Sequence, residues 1–149
     1  MSEQYLALIP AAGVGSRAKL KMAKQFTAIG SKTIIEYALD PFLLDDNCKK
    51  ICVVTQEDNE AWTSLSISGH EKIVSCLGGD TRMESVLKGL EMLMESEDKG
   101  SLVAIHDAAR PCLSNEDLKK IMDFADEEMK DEGQGVFLAH QPSESVNLG

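Results

Sequence analysis

The chain contains no unbroken run of 18 apolar residues, so nothing in it reads as a bilayer-crossing helix. Its first residues, Met1-Ser2-Glu3-Gln4-Tyr5, lack the basic stretch and apolar core of a secretory signal. A soluble, cytoplasmic protein with no membrane partner is the expectation. Positive charge is scarce: 15 Lys and Arg stand against 25 Asp and Glu, a formal net charge of −10. That balance argues against a nucleic-acid partner, which would require a basic face. The four cysteines, Cys48, Cys52, Cys76 and Cys112, form no C-x-x-C pair and have no histidines at zinc-site spacing. A chain of 149 residues can bury a core of its own without disulfides, so four reduced thiols are expected. Internal repeats and low-complexity linkers are missing too, which leaves one domain spanning residues 1–149.

What the chain does have is an alternation of short apolar runs with longer amphipathic stretches, the pattern of a parallel sheet flanked by helices. Strands are expected at Tyr5–Ile9, Ile51–Thr55, Lys72–Leu77 and Ser101–His106, with another starting at Gly135–Ala139. Helices are expected at Thr33–Leu44, Asp58–Ser66 and Arg82–Glu95, the last with Val86, Leu87, Leu90, Leu93 and Met94 on its apolar face. A fourth helix should run from an N-cap at Ser114 to about Glu132. Right-handed crossovers turn this order into a three-layer αβα sandwich with a mostly parallel, Rossmann-like sheet. In such sheets ligands bind where the loops at the strands' carboxyl ends converge.

Three loops follow strands and carry unusual residues. The first is Pro10-Ala11-Ala12-Gly13-Val14-Gly15-Ser16-Arg17. Glycine and alanine leave backbone N–H groups open to a polyphosphate, and Arg17 adds a planar fork suited to phosphate. Lys19, Lys21 and Lys24 follow closely, a local positive site inside a negative field. Gly13, Gly15 and Ala18 also satisfy a loose dinucleotide fingerprint. The acidic residue at the required distance, Glu36, falls inside a helical pattern instead. Gly30-Ser31-Lys32-Thr33 lacks the G-K-[ST] ending of a P-loop and reads as a turn and helix start.

The second loop is Gly78-Gly79-Asp80-Thr81-Arg82, leading to Ser85. Its paired glycines let a flat ring lie against the backbone, and Asp80 and Ser85 offer directional hydrogen bonds. Read by itself it is a strand-to-helix turn capped by Asp80 or Thr81. The third loop is His106-Asp107-Ala108-Ala109-Arg110-Pro111. A carboxylate directly after a buried strand is well placed to hold Mg²⁺ against a triphosphate, which singles out Asp107. His106 reads as a structural, hydrogen-bonded residue.

With these loops in order, the chain resembles the 2-C-methyl-D-erythritol 4-phosphate cytidylyltransferases of the non-mevalonate isoprenoid pathway, from Tyr5 to about Pro142. The shared pattern is P-A-A-G-x-G-x-R, then K-Q, then G-G-x-x-R-x-x-S-V, then H-D-A-A-R-P. The resemblance implies a nucleotidyltransferase of the nucleotide-diphospho-sugar transferase fold. Its reaction takes CTP and 2-C-methyl-D-erythritol 4-phosphate to 4-diphosphocytidyl-2-C-methyl-D-erythritol and pyrophosphate. It further implies that Arg17 and Lys24 neutralise the triphosphate. Pro10, Ala11, Ala12 and Gly13, with Gly79, Asp80 and Ser85, would form the cytosine and ribose pocket. Asp107 would hold Mg²⁺ or another divalent ion, Ala108 would touch the ribose, and Arg110 would support the site.

Two alternatives stand beside it. One is the related ribitol-5-phosphate cytidylyltransferase, whose loops resemble these less at Pro10-Ala11-Ala12-Gly13 and Ala108-Ala109. The other is a non-catalytic CTP-binding or interaction protein. Ala23 stands where the family usually has proline, and Glu144-Ser145-Val146-Asn147 replaces its D-T-x-K. The family's C-terminal third, with the arm that joins its homodimers and basic residues for the sugar-alcohol phosphate, has no counterpart here. The chain is therefore expected to bind CTP and turn over slowly or not at all.

Overall fold

The computed structural model describes residues 4–13, 23–96, 101–129 and 135–136. Strand β1 is Tyr5–Pro10, and its Leu6, Ala7, Leu8 and Ile9 are all buried. A strand that is apolar on both faces needs cover on both sides, and so belongs to a parallel sheet. β4, Cys48–Thr55, pairs in parallel with β1 and with β5, Ile73–Leu77. β6, Val103–Ile105, pairs in parallel with the other side of β1. The order is β5-β4-β1-β6. Two short strands, β2 (Ala28–Ile29) and β3 (Lys32–Thr33), make a separate antiparallel hairpin. Its turn uses Gly30 at φ 65°, a conformation glycine adopts without penalty.

One face of the sheet packs on α1 (Ile34–Leu44) and α4 (Asn115–Glu128), through Ile35, Leu39, Phe42, Leu118 and Met122. The opposite face, Leu6, Leu8, Cys52 and Val54, packs on α3 (Arg82–Ser96). These are the three expected layers. α1 begins where Thr33 donates both its N–H and its hydroxyl to Glu36 Oε2, at 2.7 and 2.9 Å. Glu36 is therefore committed to a helix start. α4 begins at Ser114, whose hydroxyl accepts from the Asp117 N–H at 3.1 Å, and its described part ends at Glu128.

Several elements differ from expectation. β4 starts three residues earlier than Ile51, because Cys48 is fully buried and Tyr5 pairs with it. The Asp58–Ser66 helix shrinks to α2, Glu60–Thr63, followed by a 3-10 turn at Ser66–Gly69. Asn59 caps α2 by accepting from the Trp62 N–H, and Asp58 before it sits at φ 51°. The expected strand at Gly135–Ala139 lies largely outside the described residues. Gly135 and Val136 are described, and they carry no strand. Among the described residues no helix is long and apolar enough to cross a membrane.

Candidate active site

All four strands of the main sheet run the same way, so the loops after β1, β5 and β6 emerge at one end. From β1 the chain steps to β4 and β5 on one side, then crosses back to place β6 on the other. The reversal lies between β1 and β6. That switch point is where a doubly wound sheet opens a crevice. Pro10–Gly13 and His106–Arg110 flank it.

The loops are tied to the sheet and to one another. Ala11 N–H donates to Val54 O at 2.7 Å, carrying the β1–β4 ladder one residue past Pro10. Gly78 N–H donates to Thr55 O at 2.8 Å, and His106 N–H donates to Leu8 O at 3.1 Å. The first and second loops touch. A Cβ added to Gly78 would lie 2.6 Å from Ala12 Cβ and 2.6 Å from Ser85 Oγ. The glycine is what lets the strands' ends close together. Ser85 is 3% exposed, and its hydroxyl accepts the Gly79 N–H at 3.2 Å.

Glu84 shapes the rest of the second loop. Its Oε2 accepts the N–H groups of Asp80 and Thr81 at 2.7 and 3.1 Å, while its own N–H donates to Thr81 Oγ1 at 3.1 Å. This reciprocal box makes Thr81 the cap of α3 and leaves the exposed Asp80 side chain outside it.

Arg82 then crosses to the third loop. Its guanidinium donates to Asp107 Oδ1 at 2.9 Å, and Arg110 Nε donates to Asp107 Oδ2 at 3.0 Å. Hydrogen bonding to Arg82, followed by that to Arg110, holds the Asp107 carboxyl below its ordinary range, against partial burial that opposes it. A depressed carboxyl adds stability above its unfolded pKa, and that contribution is lost as pH falls through the folded value. Both arginines are more than half exposed, so the stabilisation is about 1 kcal/mol at most. Ala108 is buried behind Asp107. His106 Nε2 lies 2.8 Å from Arg110 O and its ring 5.8 Å from that of Phe42, in keeping with a structural role.

Lys24 opens a short 3-10 turn, Lys24–Phe26, and is exposed. The next residue, Gln25, is buried, and its Nε2 donates to Ala11 O at 2.9 Å and Gly13 O at 3.1 Å. The Lys24 turn is thus attached directly to the first loop. Of the residues singled out in the sequence, Pro10–Gly13, Lys24, Gly79, Asp80, Ser85, Asp107 and Ala108 all belong to this connected set. Arg17 lies outside the described residues. Sequence reading gave Gln25, Arg82 and Glu84 no role in the site. Gln25 and Arg82 had only their membership of the K-Q and G-G-x-x-R motifs as a signal, and Glu84, at an unspecified motif position, had none. A separate cleft of 380 Å³, lined by Tyr5, Asp45, Asn47, Lys119 and Met122 among others, opens beside the first residue of β1, at the other end of the sheet.

The sequence model of the 2-C-methyl-D-erythritol 4-phosphate cytidylyltransferases matches residues 5–141. The chain belongs to this family. It is 38% identical over 143 residues to the enzyme of that name from Buchnera aphidicola, covering 96% of this chain and 57% of that protein. The Tolumonas auensis enzyme is 40% identical over 124 residues, 83% of this chain and 52% of the relative. Among solved structures, the Francisella tularensis cytidylyltransferase superposes with a TM-score of 0.66 at 33% identity, over 87% of this chain and 54% of that one. The α/β nucleotidyltransferase fold follows from these matches. The chain spans about half the length of the relatives it resembles.

Proposed function

We propose that this cytidylyltransferase-family chain carries the nucleotide half of a reaction joining 2-C-methyl-D-erythritol 4-phosphate to CMP. The observation that supports this best is the cross-tied set of strand-end loops at the switch point, to which the Lys24 turn is tied through Gln25 and the Asp107 carboxylate through Arg82. In the reaction an oxygen of the phosphate monoester attacks the α-phosphorus of CTP. The bond from that phosphorus to the β-bridging oxygen breaks, and pyrophosphate leaves with its electron pair. The attacking oxygen is already a nucleophile, so the protein need not supply a base. Its work is positioning and charge neutralisation.

In this reading Arg17 and Lys24 meet the triphosphate, and Pro10–Gly13, Gly79, Asp80, Ser85 and Ala108 surround cytosine and ribose. Asp107 is suited to a divalent ion such as Mg²⁺. No cluster of three or more metal-binding side chains occurs among the described residues, and Mg²⁺ is typically held by one or two carboxylates with the rest of its shell from phosphates and water. Bound there, the ion would neutralise phosphate charge. Arg82 and Arg110 keep the carboxylate ionised and oriented. The enzyme works in the cytoplasm and as a homodimer on the same proposal.

Calorimetry with CTP and Mg²⁺ tests the nucleotide assignment. Binding is expected in the micromolar to millimolar range, and no heat at millimolar CTP would overturn it. Asp107→Asn should weaken Mg²⁺-dependent CTP binding at least about tenfold, the scale of losing a charged contact of 1.4 kcal/mol or more, while shifting stability by less than about 1 kcal/mol. Pyrophosphate release with 2-C-methyl-D-erythritol 4-phosphate, compared with ribitol 5-phosphate, decides the acceptor.

A further inference from the structure

Gln25 is a polar side chain, only 7% exposed, within a three-residue turn. A buried carboxamide must be hydrogen-bonded or it destabilises the fold. Gln25 meets that requirement across the chain: its nitrogen donates to Ala11 O and Gly13 O, 14 and 12 residues away. Both carbonyls belong to the first loop.

Two consequences bear on an anion. First, a carbonyl oxygen turned toward a triphosphate would repel it, and these two are engaged by a buried amide instead. Second, the turn that presents Lys24 is held to the loop. Phe26, 6% exposed, anchors the other side of the turn in the same core cluster as Ala11. The turn also closes on itself, with Phe26 N–H donating to Ala23 O at 3.0 Å and Thr27 N–H to Lys24 O at 3.1 Å. Lys24 is therefore mounted on a self-closed turn that Phe26 anchors in the core and that, among the described residues, Gln25 hydrogen-bonds to the first loop.

We propose that Gln25 is a positioning residue for nucleotide binding, whose carboxamide joins the Lys24 turn to the first loop so that the two engage the triphosphate as one unit. This rests on the CTP-binding reading above. Gln25 touches no substrate; it acts through Lys24 and the loop backbone.

The test is calorimetry with CTP and Mg²⁺ on the whole chain and on Gln25→Met, Lys24→Ala and the double variant. Gln25→Met keeps the size and removes both donors, and should weaken CTP binding about 10- to 100-fold. In the double variant the loss should fall well short of the product of the single losses, because Lys24 is already displaced. A merely structural glutamine would give losses that multiply. Trp62 emission and circular dichroism check the fold. If Gln25→Met does not fold, Gln25→Glu serves: its CTP affinity relative to the parent chain should recover as pH is lowered and the new carboxyl regains an O–H donor. Unchanged CTP binding in the folded variant, multiplying losses in the cycle, or a pH-independent deficit in Gln25→Glu would overturn the proposal. Failure of the parent chain to bind CTP would remove the functional reading itself, an outcome distinct from all of these.

Discussion

Gly78 and Gly13 sit in the two touching loops, yet their surroundings are opposite. A methyl group on Gly78 would meet Ala12 Cβ and Ser85 Oγ at 2.6 Å and Val54 Cγ1 at 3.3 Å. None of these is the far end of a flexible side chain, so the loops would have to part. Around Gly13, nothing among the described residues lies within 4 Å of such a methyl. Gly78→Ala should therefore lower stability by about 1–3 kcal/mol and weaken CTP binding along with it. Gly13→Ala should change stability by no more than about 0.5 kcal/mol. Urea unfolding followed by Trp62, which is buried with its indole N–H donated to Ser75 Oγ at 3.0 Å, would read both. Equal losses would mean that loop closure does not depend on Gly78.

Among the elements, α3 shows where sequence reading stops. Its length was legible, and its face in part: Val86, Leu90 and Leu93 pack toward the sheet as expected. The large apolar residues pointed to a stripe containing Leu87 and Met94, and both prove more than half exposed. The buried line that meets the sheet most closely is Ser85, Gly89 and Leu93, spaced by four, with Val86 and Leu90 packed beside it. A Cβ on Gly89 would come within 2.6 Å of Leu8 Cδ1 and 2.9 Å of Val54 Cγ2. Small residues set the helix close to the sheet, a contact that hydrophobicity counts overlook. Gly89→Ala should therefore destabilise the protein, because overpacking of about 1–3 kcal/mol outweighs the roughly 1 kcal/mol gained in helix propensity. Leu87→Gln should be within about 0.5 kcal/mol of neutral. Urea midpoints in the reverse order would refute this account of α3.

The same logic separates what else could be read. β1, β4 and β5 announce themselves as apolar runs, and the loops after β1 and β5 as glycine-bearing motifs. α2 was overextended because short polar side chains claim the backbone there: Ser68 Oγ donates to Leu65 O at 2.7 Å and Thr63 Oγ1 to Asn59 O at 3.2 Å. The ties made by Gln25 and Arg82 span 12 to 25 residues. Local pattern has no means of showing such pairings.

For the molecule as a whole, the thiols that chain length left without a need for disulfides become determinants of its alkaline limit. All four cysteines are free, and only Cys112 is exposed. Cys48 is fully buried in β4, and burial pushes its thiol up to about 12. Burial also raises the Cys52 thiol and the Tyr5 hydroxyl, the latter further supported by its 2.8 Å hydrogen bond to Asp45 Oδ2. These groups stay protonated when folded and ionise in the unfolded chain. A raised folded pKa means full stability below the unfolded value and progressive loss as pH climbs toward the folded one. For Cys48 the window opens near 9 and closes near 12, with a slope of about 1.4 kcal/mol per pH unit within it. The net charge of −10 adds self-repulsion that grows in the same direction. Urea midpoints should thus be nearly flat from pH 7 to 8.5 and fall steeply above 9. Cys48→Ala leaves a cavity and lowers the plateau, but it removes one titrating group. Its curve should therefore run shallower than the parent's between pH 9 and 11. Parallel curves for the two proteins would show that Cys48 does not set the slope, and that repulsion or the remaining buried groups carry it.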